Sequence, residues 1–347
     1  MSNPIKADYE HFGEIADNWI PHSAVILGLP QYQITDLGTL GPGGTFARAI
    51  NDAGQVVGIS GTRAFLWEWS TGMIDLGLLG DPEDYVDPVS SALAINDRGV
   101  VVGVSGDAES PDPFIWDSTS GMHSLRGGTP YGINNAGQVV GTPAHLLDTS
   151  TGVYHDWQIF GHGVLFVSAI NNAGQATGYA ISPSGEAHAF FWDPRTGRRD
   201  LGALGGWESM GNAMNDAGQV TGYSYDVNGE PRAFFWDAAI GMIDIGPGWA
   251  YGINDTGQVV GSTSAWDPRG QGFYWDSAGG MVVIDSLTGA ADINNQGQIV
   301  GYSRILAGRE RALLLNPIPE PATILLLAGG LTLIRRRPRD RFPTPRP

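Results

Sequence analysis

The chain has no cysteine, which excludes a disulfide framework, cysteine–zinc sites, iron–sulfur ligation and a thiol nucleophile. Charge is scarce as well: Asp, Glu, Lys and Arg make up 16% of the 347 residues, where ~25% is usual for soluble domains. No Gly-x-Ser-x-Gly elbow, phosphate-binding loop or His-Glu-x-x-His occurs. The marks of a serine hydrolase, a P-loop nucleotidase and a zinc protease are therefore missing. Residues 1–30 do not read as an export leader, which places a basic stretch before a longer apolar one. Lys6 there stands against Asp8, Glu10, Glu14 and Asp17, and the longest apolar run is Ala24–Leu29. Tyr9, Phe12, Ala16 and Trp19 fall near helical spacing, which predicts a short amphipathic helix in this N-terminal extension. Two explanations stay open: a start displaced from the natural one, or a helix packed on the domain that follows.

Glycine, by contrast, is abundant. Its 51 residues are roughly twice the usual ~7% share, and with 10% aromatic residues they point to an all-β chain. The formal net charge of −17 is unevenly spread, because six arginines and one aspartate sit in residues 335–347. Residues 1–334 hold 13 basic and 35 acidic groups. A body that acidic repels a phosphate backbone, so no nucleic-acid partner is expected.

One phrase recurs seven times. It reads AINDAGQVVG from Ala49, AINDRGVVVG from Ala94, GINNAGQVVG from Gly132 and AINNAGQATG from Ala169. It returns as AMNDAGQVTG from Ala213, GINDTGQVVG from Gly252 and DINNQGQIVG from Asp292. The spacings are 45, 38, 37, 44, 39 and 40 residues, which suits a unit of four short strands. In the first copy Ile50 ends a strand, Asn51-Asp52-Ala53-Gly54 turns, and Gln55 opens the returning strand. Asn and Asp bond the backbone two residues on, and glycine accepts positive φ. A third strand follows (AFLW from Ala64, AFFW from Ala189), then a fourth (GMIDLG from Gly72, GMIDIG from Gly241); unit three is the degenerate one.

The seventh unit has no fourth strand, whereas residues 32–38 (YQITDLG) form a strand ahead of the first phrase. Pairing the two closes a ring and removes the exposed edge of a linear array. The fold expected is a seven-bladed β-propeller over residues 31–316, with the N-terminal strand completing the last blade; an open β-solenoid is the runner-up. Six units place Ala or Gly before the apolar residue of the phrase, which suits a crowded inner strand; Asp292 breaks the pattern.

DLGTLG (Asp36–Gly41), INDAGQVVG (Ile50–Gly58), AFLW (Ala64–Trp67) and GMIDLG (Gly72–Gly77) together resemble the bacterial extracellular HAF-repeat family across about residues 31–316. His188-Ala189-Phe190 spells the family's name. The resemblance implies an exported protein and no particular activity. In residues 317–347, Pro319-Glu320-Pro321, the apolar run Ala322–Ile334 and Arg335-Arg336-Arg337 are similar to the PEP-CTERM sorting signal of Gram-negative bacteria that make exopolysaccharide. That resemblance implies processing by an exosortase and a surface or extracellular destination. The apolar run has 13 residues, ~20 Å as helix against a ~30 Å hydrocarbon core. Such a run suits transient inner-membrane insertion with the arginines on the cytoplasmic side.

Candidate site residues are few. Trp67, Trp116, Trp192, Trp236 and Trp275 occupy one slot of the template, the pattern of packing between blades. Trp207, Trp249 and Trp266 lie off the template, in linkers or loops, and are the ligand-binding candidates, with gap-filling between blades as the competing reading. Asp81, Glu83, Asp84 and Asp87, and the stretch Asp226–Glu230, carry enough oxygens for calcium, but match no EF-hand or nonapeptide calcium loop, so a solvated turn competes there. His155, Asp156 and His162 cluster locally at a spacing that fits no ligand motif. No catalytic residue and no other cofactor is singled out. The expectation is a non-catalytic exported surface or matrix protein associated with exopolysaccharide. A propeller-type polysaccharide lyase or glycosidase is the alternative, which unpartnered carboxylates clustered in the central channel would favour.

Overall fold

The computed structural model describes residues 31–156, 163–182, 184–264, 270–304 and 309–318. They form an all-β propeller of 28 strands and one 3-10 turn. Each phrase sits in a hairpin, as in β2 (Thr45–Ile50) and β3 (Val56–Ser60). The turn glycines have φ near +75°, for example 75° at Gly54 and 78° at Gly218. Two outer strands complete the unit, β4 (Arg63–Glu68) and β5 (Gly72–Asp75), and the order within the sheet is the chain order.

Five sheets are separate and four-stranded; an eight-stranded sheet runs from β14 (Val164–Ile170) to β21 (Gly241–Pro247). One of the five combines β26 (Gly289–Ile293), β27 (Ile299–Ser303) and β28 (Arg311–Pro317) with β1 (Tyr32–Asp36) from the other end of the chain. β1 runs antiparallel to β28 with Ile34 opposite Leu315, and an Arg311–Asp36 ion pair of 3.0 Å flanks the join. Tyr32 and Ile34 are buried there. The first strands of successive units touch in order, β2, β6 (Pro88–Ile95), β10 (Thr129–Ile133), β14, β18 (Gly205–Met214), β22 (Trp249–Ile253) and β26, and β26 returns to β2.

Apolar clusters lie between neighbouring sheets; one joins Val57 and Leu66 to Ala92, Ile95 and Phe114 of the next. Both faces of a blade are covered, so its third strand reads as a continuous apolar run instead of alternating. Phe65, Phe114, Phe234 and Phe273 are wholly buried. The templated tryptophans pack as their repetition predicts: Trp67, Trp236 and Trp275 are buried, and Trp116 and Trp192 lie partly buried against clusters.

Candidate functional site

At the mouth where the turns gather, the Asn of each phrase is buried and donates to the next unit. Asn51 Nδ2 reaches the Asn96 carbonyl at 3.0 Å, Asn96 that of Asn134, and Asn134 that of Asn171. The series continues through Asn215, Asn254 and Asn294, whose Nδ2 closes it on the Asn51 carbonyl at 3.0 Å. Each Asn also holds its own turn, as Asn51 Oδ1 does by accepting the Gln55 N–H at 2.9 Å. The residue after it forms a second, exposed ring. The Asp52 N–H donates to Asp97 and the Asp97 N–H to Asn135, and so on round to Asn295, whose N–H donates to Asp52. Asp52, Asp97, Asp216 and Asp255 thus meet in one mouth, but both oxygens of each accept a hydrogen bond, the second from an Asn side chain. Clustered carboxylates are present here, and they are structurally partnered.

At the opposite mouth, where the first strands begin, lies a cavity of about 560 Å³, inside the ~300–1,000 Å³ range of small-molecule sites. Its wall comes from a device repeated in every unit. Each first strand carries a β-bulge two residues before the phrase's apolar residue: Arg48, Leu93, Tyr131, Ser168, Asn212, Tyr251 and Ala291. All seven line the cavity. A bulge re-aims a side chain out of the ladder, here toward the axis. The glycine closing each phrase, such as Gly58 or Gly222, accommodates this strand path. A Cβ on Gly222 would run into the Met210 carbonyl, and one on Gly58 into the Phe46 carbonyl. The scaffold positions repeat while the bulged positions differ. Phe46 pairs with Tyr302 (ring centroids 5.3 Å) and Tyr131 with Phe166 (4.7 Å) on the cavity wall. Burial pushes the Tyr251 phenol up to about 12, with Tyr302 adding to it, so at neutral pH Tyr251 is a hydrogen-bond donor and an aromatic face.

Asp292 is the exception in the phrase, and the seam between β26 and β2 explains it. Its Oδ2 accepts the Ile50 N–H at 3.0 Å and its Oδ1 the Ile293 N–H at 2.9 Å. The carboxylate fits because its neighbour is Gly252, whose missing Cβ would lie 2.8 Å from Asp292 Oδ1. Burial pushes the carboxyl up to about 7; the two N–H bonds oppose this and Asp52 adds to it. With the folded value above the ordinary 3.8, the fold binds the extra proton and loses that stabilisation as pH rises from about 4 to about 7. We expect the melting temperature of wild type minus that of Asp292→Asn to fall by several degrees from pH 4.5 to pH 7.5. A constant difference across that window would contradict the assignment.

Two of the off-template tryptophans, Trp207 and Trp249, are in strands, a correction to their expected place in linkers or loops. Trp207 lies in β18 and Trp249 opens β22, because both first strands extend beyond the repeated phrase toward the cavity mouth. Trp207 is 55% exposed and stacks on Tyr225 at 5.0 Å; Tyr225 meets Tyr223 at 5.8 Å, and Tyr223 meets Trp249 at 6.3 Å. Trp249 in turn pairs across the ladder with the cavity residue Ser262. The structure therefore links two of the three candidates in one aromatic line; Trp266 is outside the described residues, as are His162, Pro319, Glu320, Pro321, Arg335, Arg336 and Arg337. Asp81 caps the 3-10 turn Pro82–Asp84 by accepting the Glu83 N–H at 3.0 Å, and Glu83, Asp84 and Asp87 are exposed around it. In the second acidic loop Asp226 is spent on the Asn228 and Glu230 N–H groups. Among the described residues no three His, Cys, Asp or Glu converge as a metal site, and no helix is long and apolar enough to cross a membrane.

No family model and no curated protein matches the chain. Among solved structures it is similar to TolB from Acinetobacter baumannii, with 14% identity over 79% of this chain and a TM-score of 0.45. The chain spans 64% of the length of that TolB. It is also similar to a triple arginine-to-alanine mutant of AofleA from Arthrobotrys oligospora, with 10% identity over 83% of this chain and 90% of the other, and a TM-score of 0.36.

The ring of bulged residues is the part of the site that the sequence left unread. Its signal was present in the final glycine of the phrase, since an isolated glycine inside a strand marks a bulge or a close backbone approach.

Proposed function

We propose that the chain is a seven-bladed propeller that works as a non-catalytic glycan-binding protein, holding its ligand in the cavity at the mouth where the first strands begin. The blade count treats the eight-stranded sheet as two blades, because a single parallel bridge, Ala187 to Glu208, joins its halves and each half carries one phrase. The binding reading rests on one observation above all: seven bulges aim seven largely dissimilar side chains into one cavity of about 560 Å³. A hairpin whose core and turn positions repeat while its channel-facing position varies leaves that wall free to be shaped for a ligand. Aromatic faces with hydroxyl and amide groups between them suit sugar rings, which present an apolar face and a polar edge. The line from Trp207 to Trp249 extends the platform beyond the cavity. With the PEP-CTERM-like residues 319–337, the reading is of an exported protein, released or held at the surface by an exosortase, whose ligand is exopolysaccharide.

Co-sedimentation of the full chain with exopolysaccharide from its host tests this reading. Wild type pellets with the polymer. Tyr251→Ala weakens binding about tenfold, the loss of ~1.4 kcal/mol from one stacked face, and Trp207→Ala weakens it less. Trp69→Ala, on the turn side and 57% exposed, leaves binding unchanged. New sugar ends in the supernatant would favour the lyase or glycosidase, and no pelleting would remove the glycan reading.

A further inference from the structure

We infer that the cavity selects glycans bearing carboxylates, uronic acid units above all, and that Arg48 is the group that reads the charge. This rests on the glycan-binding reading and adds a substrate class to it. Arg48 is the one charged side chain on the cavity wall among the described residues. It is bulged out of β2 and exposed. Four arginines of the propeller are matched to carboxylates: Arg63 to Asp75 at 3.3 Å, Arg232 to Asp244 at 2.9 Å, Arg304 to Glu310 at 3.1 Å and Arg311 to Asp36 at 3.0 Å; what sets Arg48 apart is its place on the cavity wall. Arg48 makes no ion pair or hydrogen bond among the described residues. Asp292, on the neighbouring first strand, spends both oxygens on the N–H groups of Ile50 and Ile293.

The net charge of −17 repels a densely charged polymer as a whole, so the attraction is local to Arg48 and is felt by a single carboxylate inside the cavity. A guanidinium on the wall of a concave aromatic site offers N–H donors and charge to an anionic group. Guanidinium forks match a carboxylate with two parallel N–H bonds, which adds orientation to charge. Phe46, two residues before Arg48, and its partner Tyr302 supply an aromatic wall beside the guanidinium. A pyranose ring that packs there presents an equatorial C5 carboxylate toward Arg48. A neutral sugar gains the stacking alone.

The test is isothermal titration of the full chain with an oligogalacturonate and with the same oligosaccharide after its carboxyls are reduced to alcohols. Wild type binds the acidic form at least tenfold more tightly, and that preference weakens with added salt. Arg48→Gln lowers affinity for the acidic form at least tenfold and leaves the reduced form unchanged; Arg48→Lys restores part of the preference, as a point charge without the fork. Arg48 is exposed, so thermal melts of the variants stay at the wild-type value. If wild type binds both forms alike and Arg48→Gln changes neither, the charge reading is overturned while glycan binding stands. If neither form binds wild type, both fall together.

Discussion

Asn134→Ala lowers the folding free energy by about 3 kcal/mol in urea unfolding, because one side chain holds two structures at once. Its Nδ2 donates to the Asn171 carbonyl at 3.0 Å and to Gln138 Oε1 at 2.8 Å. Its Oδ1 accepts the Ala136 and Gln138 N–H groups at 3.1 and 2.9 Å. Asn134 is only 3% exposed, so truncation strands a buried carbonyl and two turn donors, each costing ~1–3 kcal/mol when water does not fully replace the partner. Asn134→Asp is as damaging. It keeps the acceptors for the turn but sets an oxygen against the Asn171 carbonyl and Gln138 Oε1. Asn135→Ala, one residue on and only half-buried at the mouth, costs under ~1 kcal/mol, since water reaches and takes over its bonds. Equal losses at the two positions would show that the buried ring does not carry the inter-blade connection.

Gly222→Ala is the second large effect, about 3 kcal/mol or more, and it reaches the cavity proposed as the ligand site. The added methyl would collide with the Met210 carbonyl and crowd the Asn212 backbone nitrogen. Neither is the yielding end of a side chain, so the strand must move, and overpacking of this kind costs ~1–3 kcal/mol or occasionally more. The bulge between Gly211 and Ala213 is what has to flatten, and Asn212 is the residue it aims into the cavity. On the proposed binding reading, glycan affinity falls together with stability. Gly185→Ala serves as the contrast: its φ of 91° is unfavourable for alanine but no atom lies within 4 Å of the new Cβ. That variant loses ~1–2 kcal/mol from backbone strain alone and keeps its affinity. Wild-type affinity in folded Gly222→Ala would separate the bulge from the site.

Much of this was written in the repeated phrase. The Asn-Asp/Asn-x-Gly turns, the inner strand with its small residues and the N-terminal strand that lies on β28 follow from turn chemistry and from the open end of unit seven. The asparagine was read as a turn former, which it is, but its second bond runs to the next unit 37–45 residues away in most of the ring. A single repeat does not reveal that; only the curvature of the ring sets one turn against the next. Asp292 was legible as an exception and not as a clasp, since its partner Ile50 is 242 residues distant in the chain. The cavity wall is the least legible part. Arg48, Leu93, Tyr131, Ser168, Asn212, Tyr251 and Ala291 share no residue type that would mark them as equivalent, and a repeat search discards positions that vary. What they share is a backbone irregularity, disclosed by the glycine across the ladder. Trp207 and Trp249 stand out in the sequence as off the template, and the structure joins them through Tyr223 and Tyr225, which nothing in their spacing connects.

The measurement that bears most directly on the central claim is a crystal structure of the full chain bound to the acidic oligosaccharide. The sugar is expected in the cavity where the first strands begin, stacked on Tyr251 or on the Phe46–Tyr302 wall, with a carboxylate about 2.8 Å from the Arg48 guanidinium. A sugar bound on the turn mouth or on the outer strands, with the cavity vacant, would contradict the account and leave the bulged ring as architecture alone.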